Sequence, residues 1–543
     1  MKLIKAFLSG LNRLTFYLII IVLSFCIAIP ILNQYAVSVV QNSIEKFNNE
    51  KIHVTVKKIE IDVLLQSISL KDVTVSLRDS TIQSNIIIEK IAIQHFSIYK
   101  YLKFGKINIS KASIYKPRCF VYKSDSIHQV KNEMPKSNLT PDIHFSRIVI
   151  DGMYLEYLDS TKNNSLSTIQ SMDFSFSDIN INGDNKTKKG RPISAEINYI
   201  LFKQISSNQL DKMYNLNIGR MIFIPVKQAL FIDSISYLPL SEKTIFFKQM
   251  GYQTDRFIVR AKSLLINLNY KNIFTILDSI HITHLTLLHP ELIVCRDRNY
   301  MRKLTIKSGI QELLRNSKSS FQVDTFGIYN GRVQYEEIPK ESIVASKIWF
   351  TNFNGRIMNI SSSDTINNLI VNANALLFGE GRLSTTLIFP YSNNSKSFIC
   401  KGLLHNLSMK KLNPILEENL HVEIKEGNIR SMKFNFNAGN IQSNGSMQFI
   451  YDDLKIAVQN NESRKTSGIK EKIKSFMANK LLLNKSSESK KRHNDIVALH
   501  FVKDQTKFIF NYIVKTLLSG IKETIGINRK DKNSPRKKLL NRK

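Results

Sequence analysis

Cysteine, proline and glycine are all scarce in this chain of 543 residues, at 4, 12 and 20 copies. Each shortage excludes something. Cys26 stands inside an apolar run, and Cys119, Cys295 and Cys400 are far apart with no C-x-x-C among them. That pattern offers neither a disulfide framework nor a zinc site, and it reads as isolated cysteines in core-like strand positions. Few glycines and prolines argue against long flexible linkers inside the body. Acidic residues are short too: 44 Asp and Glu stand against 77 Lys and Arg, a formal net charge of +33. Such an excess favours anionic partners such as phospholipid headgroups, lipopolysaccharide phosphates or nucleic acid. A chain rich in Lys, Asn and Ile would carry part of it regardless of partner.

Catalytic motifs are missing as well. There is no G-x-S-x-G, no H-E-x-x-H, no P-loop and no G-x-G-x-x-G. His281 and His284 would face opposite sides of one strand, so with His289 they make no chelating set. Asp452-Asp453 reads as a solvated turn. No catalytic residue, metal site or cofactor is expected, and the chain does not read as an enzyme. Nucleic-acid binding needs basic residues gathered on one surface, often with stacking aromatics. Here Lys and Arg are spread along strand-like segments, so no nucleic-acid partner is expected.

Long apolar runs are limited to one. Leu14 to Leu32 holds nineteen residues without a charge. As a helix it would span about 28 Å, close to the hydrocarbon core of a bilayer. Lys2, Lys5 and Arg13 precede it, which places the N-terminus in the cytoplasm and the bulk in the periplasm. The run is longer than a signal-peptide core and no A-x-A site follows. Leu23-Ser24-Phe25-Cys26 faintly resembles a lipobox, but Phe25 is a poor residue there. The expectation is an uncleaved single-pass anchor in the inner membrane. A connecting helix should follow, with Ile31, Tyr35, Val39, Ile44 and Phe47 near one face.

What is abundant is alternation. From residue 50 a unit recurs: apolar-x-apolar, two polar residues, apolar-x-apolar. It occurs at Val54/Val56–Ile59/Ile61, Ile68/Leu70–Val73/Val75, Ile86/Ile88–Ile91/Ile93 and Ile107/Ile109–Ala112/Ile114, and again at several later places. Alternation with β-branched and aromatic residues means strands with one apolar face. The intervening pairs, such as Lys57-Lys58 and Lys71-Asp72, are not hairpin-turn residues. They are read as β-bulges that return the second doublet to the face of the first.

A longer repeat lies over this one. Ile91, Ile93, Ile107, Ile109, Ile114 and Pro117 match Leu264, Ile266, Ile280, Ile282, Leu287 and Pro290 at a constant offset of 173. Ile143, Phe145, Ile148 and Ile150 match Phe321, Val323, Phe326 and Ile328 at 178. The body is thus at least two related modules in tandem. Helix candidates are few: Tyr199–Asn215, Leu304–Asn316, Met409–Glu418, Ile469–Leu483 and Phe508–Ile525.

The predicted layout is a cytoplasmic N-terminus (1–13), a transmembrane helix (14–32), a connecting helix (33–50), and β modules over 51–215 and 216–405. A closing segment (406–459), a linker with an amphipathic helix (460–495), a C-terminal amphipathic region (496–528) and a disordered basic tail (529–543) complete it.

The basic N-terminus and apolar helix, VTVKKIEIDVLLQSISLKDVTVSL (54–77), EKIAIQHFSIYKYLKFGKINISKASIYKPRCFVY (89–122), LNPILEENLHVEIKEGNIRSMKFNF (412–436) and GSMQFIYDDLKI (445–456) together resemble the AsmA family. These AsmA-like and TamB-like bacterial envelope proteins are relatives of the bridge-like lipid-transfer proteins. The resemblance covers the chain to about residue 456 and rests on patterns rather than on signature residues. It implies a mainly β fold: a long twisted antiparallel sheet curled into an apolar groove, with few helices. It also implies a role in phospholipid transport or outer-membrane biogenesis.

On that reading the groove is lined by Ile59, Ile61, Ile68, Leu70, Val73, Val75, Ile91, Ile93, Ile107, Ile109 and Ile114. Leu264, Ile266, Ile280, Ile282 and Leu287 line it in the second module. Phospholipid and the inner membrane are the expected partners. Phe508, Tyr512, Leu517, Ile521 and Ile525 lie near one helical face ahead of the basic tail, which suits an outer-membrane or other anionic lipid surface. A packed terminal helix with a solvated tail is the alternative. For the chain as a whole, the rival reading is a non-transporting envelope structural or assembly factor with a closed β core, because both designs bury alternate residues.

Overall fold

The computed structural model describes residues 24, 27–49, 51–78, 83–97, 103, 106–122, 142–159, 164–181, 193–208, 212–270, 279–303, 305–341, 345–363, 367–391, 396–420, 422–458 and 493–524. Most of the expected membrane helix lies outside these residues, as do the amphipathic stretch 469–483, Ile525 and the basic tail 529–543. Among the described residues no helix is long and apolar enough to cross a membrane. Helix α1 runs over 27–47. Ile31, Tyr35, Val39 and Phe47 on it are exposed, while Ile44 is half-buried.

The protein is mainly β and divides into two compact units between Ile232 and Asp233. Unit 1 contains β1 (Ile52–Asp62), β2 (Ser67–Arg78), β3 (Gln83–Phe96), β4 (Ile107–Tyr115), β5 (Arg118–Tyr122), β6 (Ile143–Leu158), β7 (Ser165–Ile181), β8 (Ile193–Ser207) and β9 (Tyr214–Ile224). Strand β10 (Ala229–Pro239) holds the division. Unit 2 continues with α2 (Lys243–Met250), β11 (Asp255–Leu268), β12 (Ser279–Leu288), β13 (Glu291–Asp297), α3 (Ile310–Arg315), β14 (Ser320–Ile338), β15 (Ser346–Ser361) and β16 (Leu369–Leu377). It ends with β17 (Gly381–Phe389), β18 (Phe398–Ser408), α4 (Asn413–Leu420), β19 (Val422–Ala438), β20 (Gln442–Val458), β21 (His493–Val502) and α5 (Ile509–Thr524).

The tandem repeat reappears in the hydrogen-bond register. In unit 1 Lys90 faces Tyr115 and Ile91 faces Ile114; in unit 2 Ser263 faces Leu288 and Leu264 faces Leu287. The same offsets carry Ile107↔Ile143 into Ile280↔Phe321 and Cys119↔Leu155 into Leu292↔Val333. Even isolated bonds recur. Lys116 N donates to Asp151 O at 2.8 Å and Tyr154 N to Pro117 O at 2.8 Å. Their counterparts are His289 N to Tyr329 O at 2.9 Å and Arg332 N to Pro290 O at 2.7 Å.

One expectation is corrected here: the sheet is mixed, not antiparallel throughout. β4 and β5 both pair antiparallel with β3 and parallel with β6. β12 and β13 repeat this between β11 and β14. Each couple is one strand broken at a proline. Pro117 and Pro290 lack an N–H, and the residues before them, Lys116 and His289, take φ of 45° and 47°. Parallel neighbours cannot be joined by a tight turn. The chain therefore crosses over, and in unit 2 the crossover from β13 to β14 carries α3.

The polar pairs shift the strand phase as expected, but not by one device. In β1 the burial alternates through Val54 and Val56, shows Lys57 and Lys58 both exposed, and resumes at Ile59. Lys58, Lys71 and Lys90 lie abreast, with the register unbroken on either side. There the phase change is shared by adjacent strands, with Asp72 at φ 51°. True register shifts occur further along, for example between Ser177 and Asn180 against β8. A second correction comes from the same geometry. Tyr199–Asn215, expected as a helix, forms the end of β8 and the start of β9. Gln204 at φ 52° makes Phe202 and Ile205 face-mates three residues apart, and that spacing imitates a helix. The expected helices near 304–316, 409–418 and 508–525 are present as α3, the short 3-10 turn Met409–Leu412 with α4, and α5.

Candidate apolar binding faces

Residues paired across neighbouring strands share a face, so the ladders show what each face carries. In unit 1 one row runs Ile59, Leu70, Ile91, Ile114, Ile150, Phe174, Ile200 and Phe223 across β1, β2, β3, β4, β6, β7, β8 and β9. A parallel row runs Ile61, Ile68, Ile93, Ala112, Ile148, Phe176 and Ile197. A third runs Val54, Val75, Ile86, Cys119, Leu155, Ile169, Ile205 and Ile218. Each row is apolar at every step.

Eight of the eleven residues expected on this face in unit 1 lie on these rows; Val73 pairs instead with Val56 and Ile88, Ile107 with Ile143, and Ile109 with Phe96 and Phe145. Val73 and Ile109 are buried, and Ile59, Ile61, Ile68, Leu70, Val75, Ile91, Ile93, Ile107 and Ile114 are half-buried. Leu264, Ile266, Ile280, Ile282 and Leu287 meet in unit 2 on β11 and β12 and continue onto Phe321, Val323 and Ile328 of β14. They form a separate set within that unit. The polar alternates carry ion pairs: Glu60 lies 2.7 Å from Lys58 and 2.9 Å from Lys71. Those two ammonium groups lower its carboxyl to about 2. Lys57 and Asp72 lie 3.7 Å apart.

The C-terminal half of unit 2 uses its apolar face differently. Twenty-five buried apolar residues form one cluster, from Leu369 to Ile521. Phe398, Phe436 and Tyr512 meet there with ring centroids 6.1 to 6.5 Å apart. Helix α5 lies on β20 and β21, and Gly520 makes the close approach feasible: a Cβ there would sit 2.6 Å from Leu499 and 2.7 Å from Met447. Tyr512 and Ile521 are buried in this core, and Leu517 packs against it. The helical face expected to rest on a membrane is therefore an interior surface, with Phe508 left exposed. Between α5, α4 and the sheet remains a cavity of about 410 Å³, lined by Val333, Phe350, Leu383, Leu404, Phe510, Leu517 and other residues of which only Asn374 and Thr385 are polar. That volume falls in the range of small-molecule pockets.

Among the described residues two buried thiols are held protonated. Burial raises the Cys295 thiol to about 11 and the Cys400 thiol to about 12, which disfavours a reactive thiolate. Glu336 is 4% exposed, and burial alone would raise its carboxyl. Lys243 and Gln334 outweigh that and hold it below the usual range. His281 pairs with Asp324 at 3.0 Å, His289 with Asn330 at 3.1 Å, and Asp452 with Arg430. Among the described residues no group of three His, Cys, Asp or Glu is placed to hold a metal.

The pattern of doublets located the unit 1 face, but it missed the cavity. That site depends on α4 packing beside β15 and β19 and on α5 lying on β20 and β21, and no local spacing reports such contacts. No protein-family model matches the chain, and no curated protein matches it.

Proposed function

We propose that the protein binds lipid acyl chains on the apolar face of unit 1 and supports phospholipid transport or outer-membrane biogenesis, as an inner-membrane-anchored periplasmic protein similar to the AsmA family. The observation that carries this reading is the set of unbroken apolar rows over β1–β9, most of whose side chains stay half-buried. In a soluble β protein such a face is normally covered, because each Leu or Ile moved out of water contributes roughly 1.5–3 kcal/mol. Contiguous exposed apolar surface marks a binding site. Acyl chains suit it, because the rows repeat without a polar side chain that would fix one ligand shape. The exposed apolar residues of α1 agree with a chain leaving a bilayer. The closed core of unit 2 favours a second reading, an envelope scaffold without transport.

Gentle detergent extraction followed by lipid mass spectrometry separates the two. Stoichiometric phospholipid should accompany the purified protein. Recovery no higher than with an unrelated single-pass periplasmic protein would leave only the scaffold reading.

A further inference from the structure

We propose that a cleft in unit 2 formed by Lys307, Lys396, Lys503 and Lys507 binds a phosphate-class anion. The cleft holds about 60 Å³, room for roughly four water-sized groups, which suits a tetrahedral phosphate with its oxygens. Three separate segments build it. The crossover before α3 brings Lys307, the β17–β18 connection brings Lys396, and the link from β21 to α5 brings Lys503 and Lys507. The backbone fixes their positions. Lys307 N donates to Gln505 O at 2.9 Å, and Lys503 N donates to Ile441 O at 2.7 Å. Gln311, 1% exposed, donates from Nε2 to Ser397 O at 2.9 Å and so holds the strand connection beside Lys396.

The charges in the cleft do not balance. Glu312 is 3.0 Å from Lys396, and Asp504 is 3.1 Å from Arg302. Among the described residues Lys307, Lys503 and Lys507 form no ion pair with a carboxylate, and all three are half-buried. Aromatic rings stand where counter-ions would be expected: the Lys307 ammonium is 5.0 Å from the Phe508 ring centre and that of Lys503 is 5.8 Å from Tyr512. Burial and neighbouring cations push both Lys503 and Lys507 below the ordinary lysine range: Lys396 acts on the first and outweighs Glu312, and Arg296 and Arg302 act on the second and outweigh Glu337 and Asp504. Cations gathered against apolar groups cost free energy that a bound anion offsets. Helix α5, sixteen residues long with no acidic residue in its first turn, starts in the cleft at Ile509 and adds a partial positive charge. The site stands on unit 2 alone and does not depend on acyl chains binding to unit 1.

The test is thermal unfolding of the full chain with inorganic phosphate against chloride at matched ionic strength. Phosphate should raise the unfolding temperature of the native protein, as a ligand of the folded state must. The double variant Lys503→Gln/Lys507→Gln should lose that rise and bind phosphate about tenfold more weakly, without a fall in stability in chloride. Lys433→Gln, an exposed change on β19, should keep the full rise. If the double variant does not fold, Lys307→Gln carries the same test. A second arm uses short-chain phosphatidic acid below its micelle concentration: binding tenfold or more tighter than inorganic phosphate assigns the site to a lipid headgroup, and equal binding assigns it to free phosphate. No phosphate-specific rise, a rise that survives in the double variant, or an equal loss in Lys433→Gln would overturn the proposal.

Discussion

Units 1 and 2 share a strand order, a broken strand at a proline and a pairing register, yet they treat their apolar faces in opposite ways. Among the described residues nine buried apolar side chains belong to unit 1, against thirty-two in unit 2. The difference does not come from the repeat itself, because most pairings of β3, β4 and β6 recur in β11, β12 and β14. It arises after β15, where the chain adds six more strands, with α4 between β18 and β19 and α5 after β21, and seals a core. An alternating strand thus determines that a face is apolar; a covering element decides whether that face is buried as a core or left half-buried.

The sharpest way to break this comparison is to place the same charge on both faces. Phe449→Asp, at a position with 0% exposure, should unfold unit 2, because a buried unpaired carboxylate costs several kcal/mol. Ile91→Asp should leave unit 1 folded, because a half-buried position lets water reach the carboxylate. Circular dichroism and limited proteolysis distinguish the outcomes, and two unfolded variants would mean that both faces are closed.

A smaller effect is expected at the seal. Gly520→Leu forces a side chain into the space held by Leu499 and Met447. It should cost unit 2 about 1–3 kcal/mol and expose the cavity to a solvatochromic dye, with unit 1 unaffected. At the phase shift of β2, Asp72 has φ 51°. Asp72→Val should cost about 1–2 kcal/mol, since a β-branched residue resists that conformation. Asp72→Asn should change stability by less than about 0.5 kcal/mol, because Asn tolerates it and the lost pair with Lys57 is exposed. Denaturant midpoints separate the two variants.

Acid should act on unit 2 through Glu336. Its folded carboxyl lies below the ordinary value of 4.5, so the stability it contributes is fully present above that value. That stability is lost as pH falls through the folded value. Urea unfolding at descending pH should show this decline, and Glu336→Gln should flatten it.

Much of this was legible in the residues. The doublets at Ile86/Ile88–Ile91/Ile93 and the others lie on strands, and the offset of 173 survives as matched pairings because period-two alternation fixes both strand and face. Three features were not legible. The parallel pairing of β4 with β6 depends on where a long connection returns, which no local pattern encodes. Phe202 and Ile205 stand three residues apart on one face because Gln204 takes φ 52°, so a strand with a phase change imitated a helix. Helix α5 shows a sound apolar stripe, but a stripe does not say whether it meets lipid or protein; Tyr512 and Ile521 meet the sheet. The lysine cleft is drawn from positions 307, 396, 503 and 507, a combination that only the fold brings together.

Whether the apolar face of unit 1 is open to lipid is tested most directly by photo-crosslinking in membranes. A benzophenone side chain at Ile91 lies on the apolar rows, one at Lys90 points to the opposite face, and one at Phe449 sits in the sealed core of unit 2. Phospholipid should be labelled from Ile91 and not from Lys90 or Phe449; silence at Ile91, or equal labelling from Lys90, would contradict an open lipid-binding face.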